Sequence, residues 1–273
     1  MKFSVLLSIY HKEKPEIFHD AMRSIWDDQS LRPNEIVIVK DGPLTDILDE
    51  AINEWFIKLS DVLKIVTITN NSGLGIALSE GLEHCIYEIV ARMDTDDISH
   101  PERFKKQIEY MLLNPEVDII GGWIAEFKYD LLKINAYRKL PINHDEIIRF
   151  AKRRSPLNHM TVMFKKKSVI DCGSYKSAIG FEDYHLWSRM IMSDKKFANL
   201  PECLVFARTG NGMLSRRRGW EYIKNEYRLQ KFFYEIGFIN FFNLIINVSL
   251  RTLIRLLPEF FLGYFYRLIL RNN

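Results

Sequence analysis

Three carboxylates fall within four residues at Asp94-Thr95-Asp96-Asp97. Carboxylates this close repel one another, and a hard divalent cation is the usual partner that holds them together. A cation held there can bridge phosphate oxygens, so the stretch is a candidate metal site. The same residues also make an ordinary acidic turn before a helix, and a lone Asp-x-Asp recurs by chance. Placement separates the two readings. Ile89-Val90-Ala91-Arg92-Met93 is a short apolar run that reads as a buried strand. Ser99, Pro101 and Glu102 have the spacing of a helix start, with Ser99 as N-cap and Glu102 closing a capping box. A second acidic pair, Glu182-Asp183, opens another helical segment, where the helix dipole alone accounts for acidic residues.

These side chains need elements that deliver them to one place. Residues 2–8 and 35–39 are apolar and β-branched, residues 63–69 alternate, and 89–93 complete four predicted strands. Between them, 17–26, 45–59 and 76–86 have helical spacing, and Lys40-Asp41-Gly42-Pro43 is a turn by composition. Strands alternating with helices imply right-handed crossovers and a parallel sheet, with ligands beyond the carboxyl ends of the strands. The loops at those ends carry Tyr10 and His11, then Asp41, then Asn71 and Gly73, then the three aspartates. Polar residues thus recur at one rim while the strand bodies stay apolar, the pattern of a nucleotide crevice. Gly73-x-Gly75 lacks the third glycine of a dinucleotide fingerprint and reads equally as a turn with close helix packing. The second half is less regular. Helices are predicted at 101–114 and 144–150 and from about 182, with strands at 117–124 and toward 164. His159 and His185 are isolated, and isolated histidines are structural by default.

The 273-residue chain is 47% hydrophobic and 27% charged, an ordinary globular balance for one large α/β domain with an appendage. Cys85, Cys172 and Cys203 are odd in number and far apart, which fits neither a disulfide framework nor a zinc site and favours a reducing compartment. The opening apolar run is too short for a secretory leader and lacks a small-residue cleavage site, so it reads as a strand. The net charge of +3 hides an asymmetry: residues 216–273 carry ten Lys/Arg against four Asp/Glu. A basic tail of this kind suggests an anionic partner. No basic motif with interleaved aromatics points to nucleic acid. Residues 236–250 are uncharged but interrupted by Asn240, Asn243, Asn247 and Ser249, short of the ~20 apolar residues of a spanning helix. Arg251, Arg255, Arg267 and Arg271 bracket further apolar stretches. Such a tail reads as amphipathic helices in a membrane interface, guanidinium groups on lipid phosphates, against the plainer reading of helices packed on the parent domain.

Taken in order, Ser8-Ile9-Tyr10, Val39-Lys40-Asp41-Gly42, Asn71-x-Gly73, Arg92-Met93-Asp94-Thr95-Asp96-Asp97 and Glu182-Asp183 resemble the family 2 glycosyltransferases of the GT-A fold. The likeness spans roughly residues 3–210, and five motifs in order are far more specific than Asp-x-Asp alone. The His159-Met160-Thr161-Val162-Met163-Phe164 stretch and Leu214-Ser215-Arg216-Arg217-Arg218 look like bacterial surface-polysaccharide enzymes of the amylovoran and O-antigen type. The resemblance implies a Rossmann-like GT-A α/β fold, a mostly parallel sheet flanked by helices, with C-terminal amphipathic helices. It implies a GT-A domain at 1–215, with a nucleotide-binding half (1–100) and an acceptor half (101–215), and a basic, membrane-associating tail at 216–273.

The activity implied is inverting transfer of a hexose, glucose or galactose, from a UDP-sugar to a polyprenyl-diphosphate-linked sugar. The linkage formed would be β, the cofactor Mn2+ or Mg2+, and the place the cytoplasmic face of the inner membrane. By position in the motifs, Asp41 reads uracil, Tyr10 lies near the base, and Asn71 and Gly73 line the nucleotide. Asp94 meets the ribose or diphosphate, Asp96 ligates the metal, and Asp183 is the general base. Phe181, Tyr184 and Trp187 would raise the Asp183 pKa by their apolar character. Glu182, Trp187 and His159 fall on the acceptor side, Trp187 or Tyr184 offering a sugar-stacking face. Arg216 and Arg217 would grip the acceptor's diphosphate, since guanidinium forks match phosphate oxygens. Two departures stand out. Lys40 occupies a position where the family often has Asp, and Lys cannot accept the uracil N–H. Ile76 stands where an arginine often follows Asn-x-Gly. The competing readings are a non-catalytic nucleotide-binding scaffold at the membrane and a sugar-phosphate nucleotidyltransferase, which would need a Gly-rich basic loop after Ser8.

Overall fold

β1 (Phe3–Ile9), β2 (Glu35–Asp41) and β4 (Ile89–Arg92) are buried almost throughout, while β3 (Leu63–Ile68), at the sheet edge, mixes buried, half-buried and exposed residues. The computed structural model describes residues 1–210 and 219–256. These four strands pair in parallel, β1 between β2 and β4, with β3 outside β2. Chain order therefore reverses at β1, and the crevice beyond the carboxyl ends at such a reversal is where open α/β sheets bind ligands. Alternate residues of β1 serve the two faces. Phe3, Val5 and Leu7 pack with Phe18 and Met22 of α1 (Pro15–Ile25) and Trp55 of α2 (Asp46–Leu59). Leu6 packs on the other face with Ala77 and Leu78 of α3 (Leu74–His84). Thr45 caps α2, its hydroxyl accepting from the Leu48 N–H at 3.4 Å.

Beyond β4 the sheet becomes mixed. In chain order come β5 (Ile98–Ser99), α4 (Arg103–Leu113), β6 (Ile119–Phe127), β7 (Ile134–Arg138) and α5 (His144–Ala151). Then follow β8 (Met163–Lys165), α6 (Lys166–Asp171), α7 (Glu182–Met192) and β9 (Phe197–Arg208). The nine described strands form one sheet of order β3-β2-β1-β4-β8-β6-β9-β5, with β7 on β6. β8 runs antiparallel between β4 and β6, while β6 and β9 are parallel. The expected parallel character thus belongs to the first half, and the second mixes directions.

The expected cap at Ser99 is not formed. Ser99 lies in β5, paired with Val205, and its N–H goes to the Ser24 hydroxyl at 3.0 Å. The helix starts four residues later, at Arg103, because that side chain is buried and tied to the Arg92 carbonyl (2.7 Å) and Gln107 (3.1 Å).

The described part of the tail forms α8 (Gly219–Glu235) and α9 (Phe241–Leu256). Leu229, Phe233, Phe238 and Ile239 join the core beneath α5 and α7, and the Phe233 ring meets Tyr184 edge-on at 4.7 Å. Across the 216 boundary, then, packing is continuous with the main domain. α9 is clasped through polar groups: Asn247 donates to Gln230 (2.9 Å) and the Lys152 carbonyl (3.0 Å), and buried Glu226 binds Arg251 and Arg255. Those two arginines are therefore spent inside the protein and do not reach lipid phosphates, contrary to expectation. A buried carboxylate must keep its cations, because losing them would strand its charge. Arg267 and Arg271 lie outside the described residues. The opposite face of α9 exposes Phe242, Ile245, Ile246, Leu250 and Leu253. No helix among the described residues is long and apolar enough to cross a membrane.

Candidate active site

Parallel register brings the predicted loops to one rim: Ile9 faces Lys40, Asp41 faces Ile68, and Leu6 faces Arg92. Tyr10, Asp41, Asn71, Gly73 and Asp94 therefore follow neighbouring strand ends. Asp41 is buried, and its two oxygens accept from the backbone N–H groups of Ser72 (2.7 Å) and Gly73 (3.0 Å). The Asn71 amide returns a bond to the Asp41 carbonyl at 3.1 Å. The aspartate thus fastens the loop that would line a nucleotide. Gly42 makes this approach possible: its φ is +83°, and a Cβ there would lie 2.6 Å from the Asn71 nitrogen. Lys40 turns away from the crevice, pairing with Asp49 of α2 at 2.5 Å.

After β4, oxygens of Asp94, Asp96 and Asp97 all lie within 4.8 Å of one another. Hard oxygen donors gathered this closely fit Mg2+ or Mn2+. β9 braces the loop from the side. The Arg208 N–H donates to Asp97 at 2.8 Å, its guanidinium reaches the Asp96 carbonyl at 3.2 Å, and it pairs with Asp20 of α1 at 3.4 Å. Burial, followed by the charges of Asp96 and Asp94, pushes the Asp97 carboxyl well above the usual carboxylate range. Asp94 is held from below by Arg92, which is 2% exposed.

The second carboxylate group enters from α7. Glu182 and Asp183 are half-buried in the first turn, and the Ser155 hydroxyl donates to Asp183 at 3.1 Å. Burial raises the Asp183 pKa, against the lowering effects of the Tyr184 N–H, Ser155, Arg138 and Arg92. Burial also raises that of Glu182, whose carboxylate accepts from the Gly180 N–H at 3.2 Å. α7 comes close to α3 because Gly75 has no side chain. A Cβ there would overlap the Lys176 carbonyl and crowd the Glu182 stem. Gly75 therefore serves packing, and through it the two halves of the crevice meet.

Some predicted acceptor residues sit elsewhere. Trp187 is wholly buried, edge-on to Tyr175, His159 and Phe197, and Tyr184 is buried with its hydroxyl on the Ala151 carbonyl at 2.5 Å. Neither offers a face to a sugar, because α7 needs its large side chains to bury against the sheet. His159 is half-buried, its Nε2 at 3.1 Å from the Tyr175 hydroxyl, and burial with the nearby Arg92 charge keeps it neutral, well below its usual range. Arg216 and Arg217 lie outside the described residues. Arg92, Tyr175, Ser155 and Arg208 went unassigned from sequence. A signal existed for one of them: a charge inside an otherwise apolar strand, Arg92, must be paired.

A family model described as Glycosyl transferase family 2 matches residues 4–183. The amylovoran biosynthesis glycosyltransferase AmsE of Erwinia amylovora is 42% identical over 97% of both chains. A UDP-Gal:alpha-D-GlcNAc-diphosphoundecaprenol beta-1,3-galactosyltransferase of Escherichia coli is 35% identical over 99% of this chain and 97% of its own. Among solved structures, the Pyrobaculum calidifontis mannosyltransferase PcManGT, in complex with GDP-Man and Mn2+, superposes with a TM-score of 0.65 at 16% identity, covering 96% of this chain and 72% of that one. A crevice at the sheet reversal, an acidic loop fit for a divalent cation and a fold shared with a nucleotide-sugar enzyme agree with these matches: the chain belongs to glycosyl transferase family 2, on the GT-A fold.

Proposed function

We propose that the protein is an inverting glycosyltransferase that moves glucose or galactose from a UDP-sugar to a sugar on a polyprenyl diphosphate, forming a β-linkage. The observation that carries the reading is the pairing of two acidic groups of different character across one crevice. Asp94, Asp96 and Asp97 form a cluster fit for a cation, and Asp183 is a half-buried carboxylate with a raised pKa. Inversion by single displacement requires one base on the acceptor hydroxyl, opposite the leaving group. Asp183 takes that proton, and Ser155 orients its carboxylate. Asp96 is a direct ligand of Mn2+ or Mg2+, which when bound neutralises charge on the departing diphosphate. Asp41, through Ser72 and Gly73, shapes the uracil side with Tyr10 and Asn71. Glu182 and His159 border the acceptor, and Arg216 and Arg217 meet its diphosphate. The name of the 35%-identical Escherichia coli relative, a UDP-Gal:alpha-D-GlcNAc-diphosphoundecaprenol beta-1,3-galactosyltransferase, supports a UDP donor and a lipid-diphosphate acceptor.

The enzyme works at the cytoplasmic face of the inner membrane, resting on the exposed face of α9. Phe242 and Ile246 there are 75% and 59% exposed, one turn apart. Apolar side chains gathered on one exposed helix face suit a lipid interface. Incubating the protein with UDP-galactose or UDP-glucose, Mn2+ and a sugar-diphosphate-lipid acceptor should release UDP and yield a β-anomer by NMR. Absence of transfer with either donor, alongside retained UDP binding, would leave a scaffold instead. Phe242→Asp with Ile246→Asp should weaken sedimentation with anionic vesicles and slow long-chain acceptors more than short ones. Equal loss on both chain lengths would make α9 merely part of the fold.

A further inference from the structure

The turn that follows α5 is held by its carbonyl groups, and three elements distant from it do the holding. α5 ends at Ala151, and carbonyls at a helix end have no partner within the helix. Here side chains supply the partners. The Tyr184 hydroxyl of α7 donates to the Ala151 carbonyl at 2.5 Å, and the Asn247 amide of α9 donates to that of Lys152 at 3.0 Å. The Arg251 guanidinium of α9 donates to the Arg153 carbonyl, and Arg138 of β7 reaches that of Ser155 at 3.5 Å. Asn247 and Arg251 are four residues apart on α9 and so share one face, opposite the apolar one. Arg251 spans two anchors, because its other Nη binds Glu226 of α8, which is buried. A rigid guanidinium fork suits that double duty, and an ammonium cannot copy it. What the turn carries is Ser155. Its hydroxyl has one proton and two acceptors in reach, Asp183 at 3.1 Å and the Leu157 carbonyl at 3.4 Å. The placement of the backbone decides which of them receives it, and only the first choice steadies the carboxylate.

We propose that Arg251 is a positioning residue for transfer: by anchoring the 151–155 turn to buried Glu226, it aims the Ser155 proton at Asp183. The inference rests on the reading of Asp183 as base. α9 then serves the reaction through its polar face, independently of lipid. Transfer to a short-chain acceptor without vesicles keeps lipid out of the measurement. Under these conditions kcat, donor KM, the acid limb of kcat/KM and the denaturant midpoint are compared for Ser155→Ala, Arg251→Gln and their double variant. A change far from the chemistry that displaces a reacting group by about 1 Å can cost ~10²-fold in rate. Ser155→Ala and Arg251→Gln should each lower kcat by roughly 10–100-fold with donor KM unchanged. The two losses should not multiply, since Arg251 acts through Ser155. Both variants should also move the acid limb to higher pH, because the lost hydrogen bond favoured the charged carboxylate. The other groups facing Asp183 are Glu182 of its own helix, Arg138 of β7, Arg92 of β4 and the Tyr175 and Tyr184 hydroxyls, and all of them are kept. The same shift is read without turnover by carbon-13 NMR titration of the Asp183 carboxyl, assigned by its loss in Asp183→Asn. Should Arg251→Gln fail to fold, Arg251→Lys keeps a charge beside Glu226 and gives up the fork, so the same losses are expected of it. A lowered denaturant midpoint with kcat and the acid limb unchanged would make Arg251 a structural residue only and overturn the proposal, as would multiplying losses in the double variant. Full transfer by Asp183→Asn would instead sink the base reading, and the carboxyl titration would still decide whether Arg251 governs the bond from Ser155 to Asp183.

Discussion

The loop after β4 and the first turn of α7 present carboxylates to the same crevice, yet their surroundings differ in kind. Both Asp97 and Asp183 have pKa values raised first by burial. For Asp97 the next causes are the charges of Asp96 and Asp94, which raise it further before the Arg208 N–H and the Arg92 charge lower it. For Asp183 every other cause lowers it: the Tyr184 N–H, Ser155, Arg138 and Arg92. Like-charge repulsion is relieved by a cation, whereas desolvation of a single carboxylate is relieved by a proton. The first arrangement suits a metal-binding loop and the second a proton acceptor, although the side-chain chemistry is the same. The backbone explains why. A tight turn at a strand end crowds three aspartates together, and a helix start offers amide groups to one.

The largest effect should come from breaking the first group. Asp96→Ala is expected to abolish turnover and Mn2+ binding while circular dichroism stays that of the folded wild type, because the departing diphosphate loses its counter-charge. Full activity of this variant in the presence of a chelator would erase the distinction between the two groups. Breaking the second should cost less. A general base contributes roughly 10²–10⁴-fold, so Asp183→Asn should lose transfer by about that factor with UDP and Mn2+ affinity unchanged. Should Asp183→Asn lose UDP binding while Glu182→Gln loses only transfer, the two neighbours exchange roles.

The first half, through β4, was legible because its signals are local. Apolar runs, one polar loop per strand end and an acidic turn sit within about a hundred residues, and β1 to β4 formed where expected. The second half depends on contacts distant in sequence. Ser155 meets Asp183 across 28 residues, and Arg208 meets Asp97 across 111. β5 is two residues long and is a strand only because β9 pairs with it. Trp187 shows the limit of composition: an aromatic beside a carboxylate reads as a sugar platform, yet helix periodicity turns it into the core, fully buried. Ser99 and Glu102 had the spacing of a capping box, but antiparallel pairing with Val205 took Ser99 first. Tertiary pairing outweighs a cap of about 1 kcal/mol.

The difference between the acidic groups should also appear in how activity depends on pH. With Mn2+ saturating, kcat/KM of the wild type should fall as pH drops through the raised Asp183 pKa, since the protonated acid cannot accept the acceptor's proton. The residual rate of Asp183→Asn should lack that acid limb. A limb that survives in the variant would assign it to the metal loop instead.

The smallest effect concerns stability, and its sign follows from the same burial. Because the folded Asp183 holds its proton more tightly than an unfolded aspartate, whose pKa is about 3.9, the native state binds more protons between those two values. Stability from this group is then fully present below the unfolded pKa and is lost as pH rises through the folded one. Above the folded pKa the wild type carries a penalised charge that Asp183→Asn does not. The variant should therefore unfold at a higher denaturant concentration than the wild type at neutral pH, and the gap should close as pH falls toward 4. Asp96→Ala should also be more stable than the wild type at neutral pH in metal-free buffer, through lost repulsion among three carboxylates. This gain should vanish when Mn2+ relieves the same repulsion in the wild type, whereas the Asp183→Asn gap should not respond to Mn2+. Denaturant midpoints of the two variants, with and without Mn2+, separate burial from repulsion. A gap for Asp183→Asn that widens on acidification, or one that Mn2+ closes, would show that the two acidic groups obey one rule and not two.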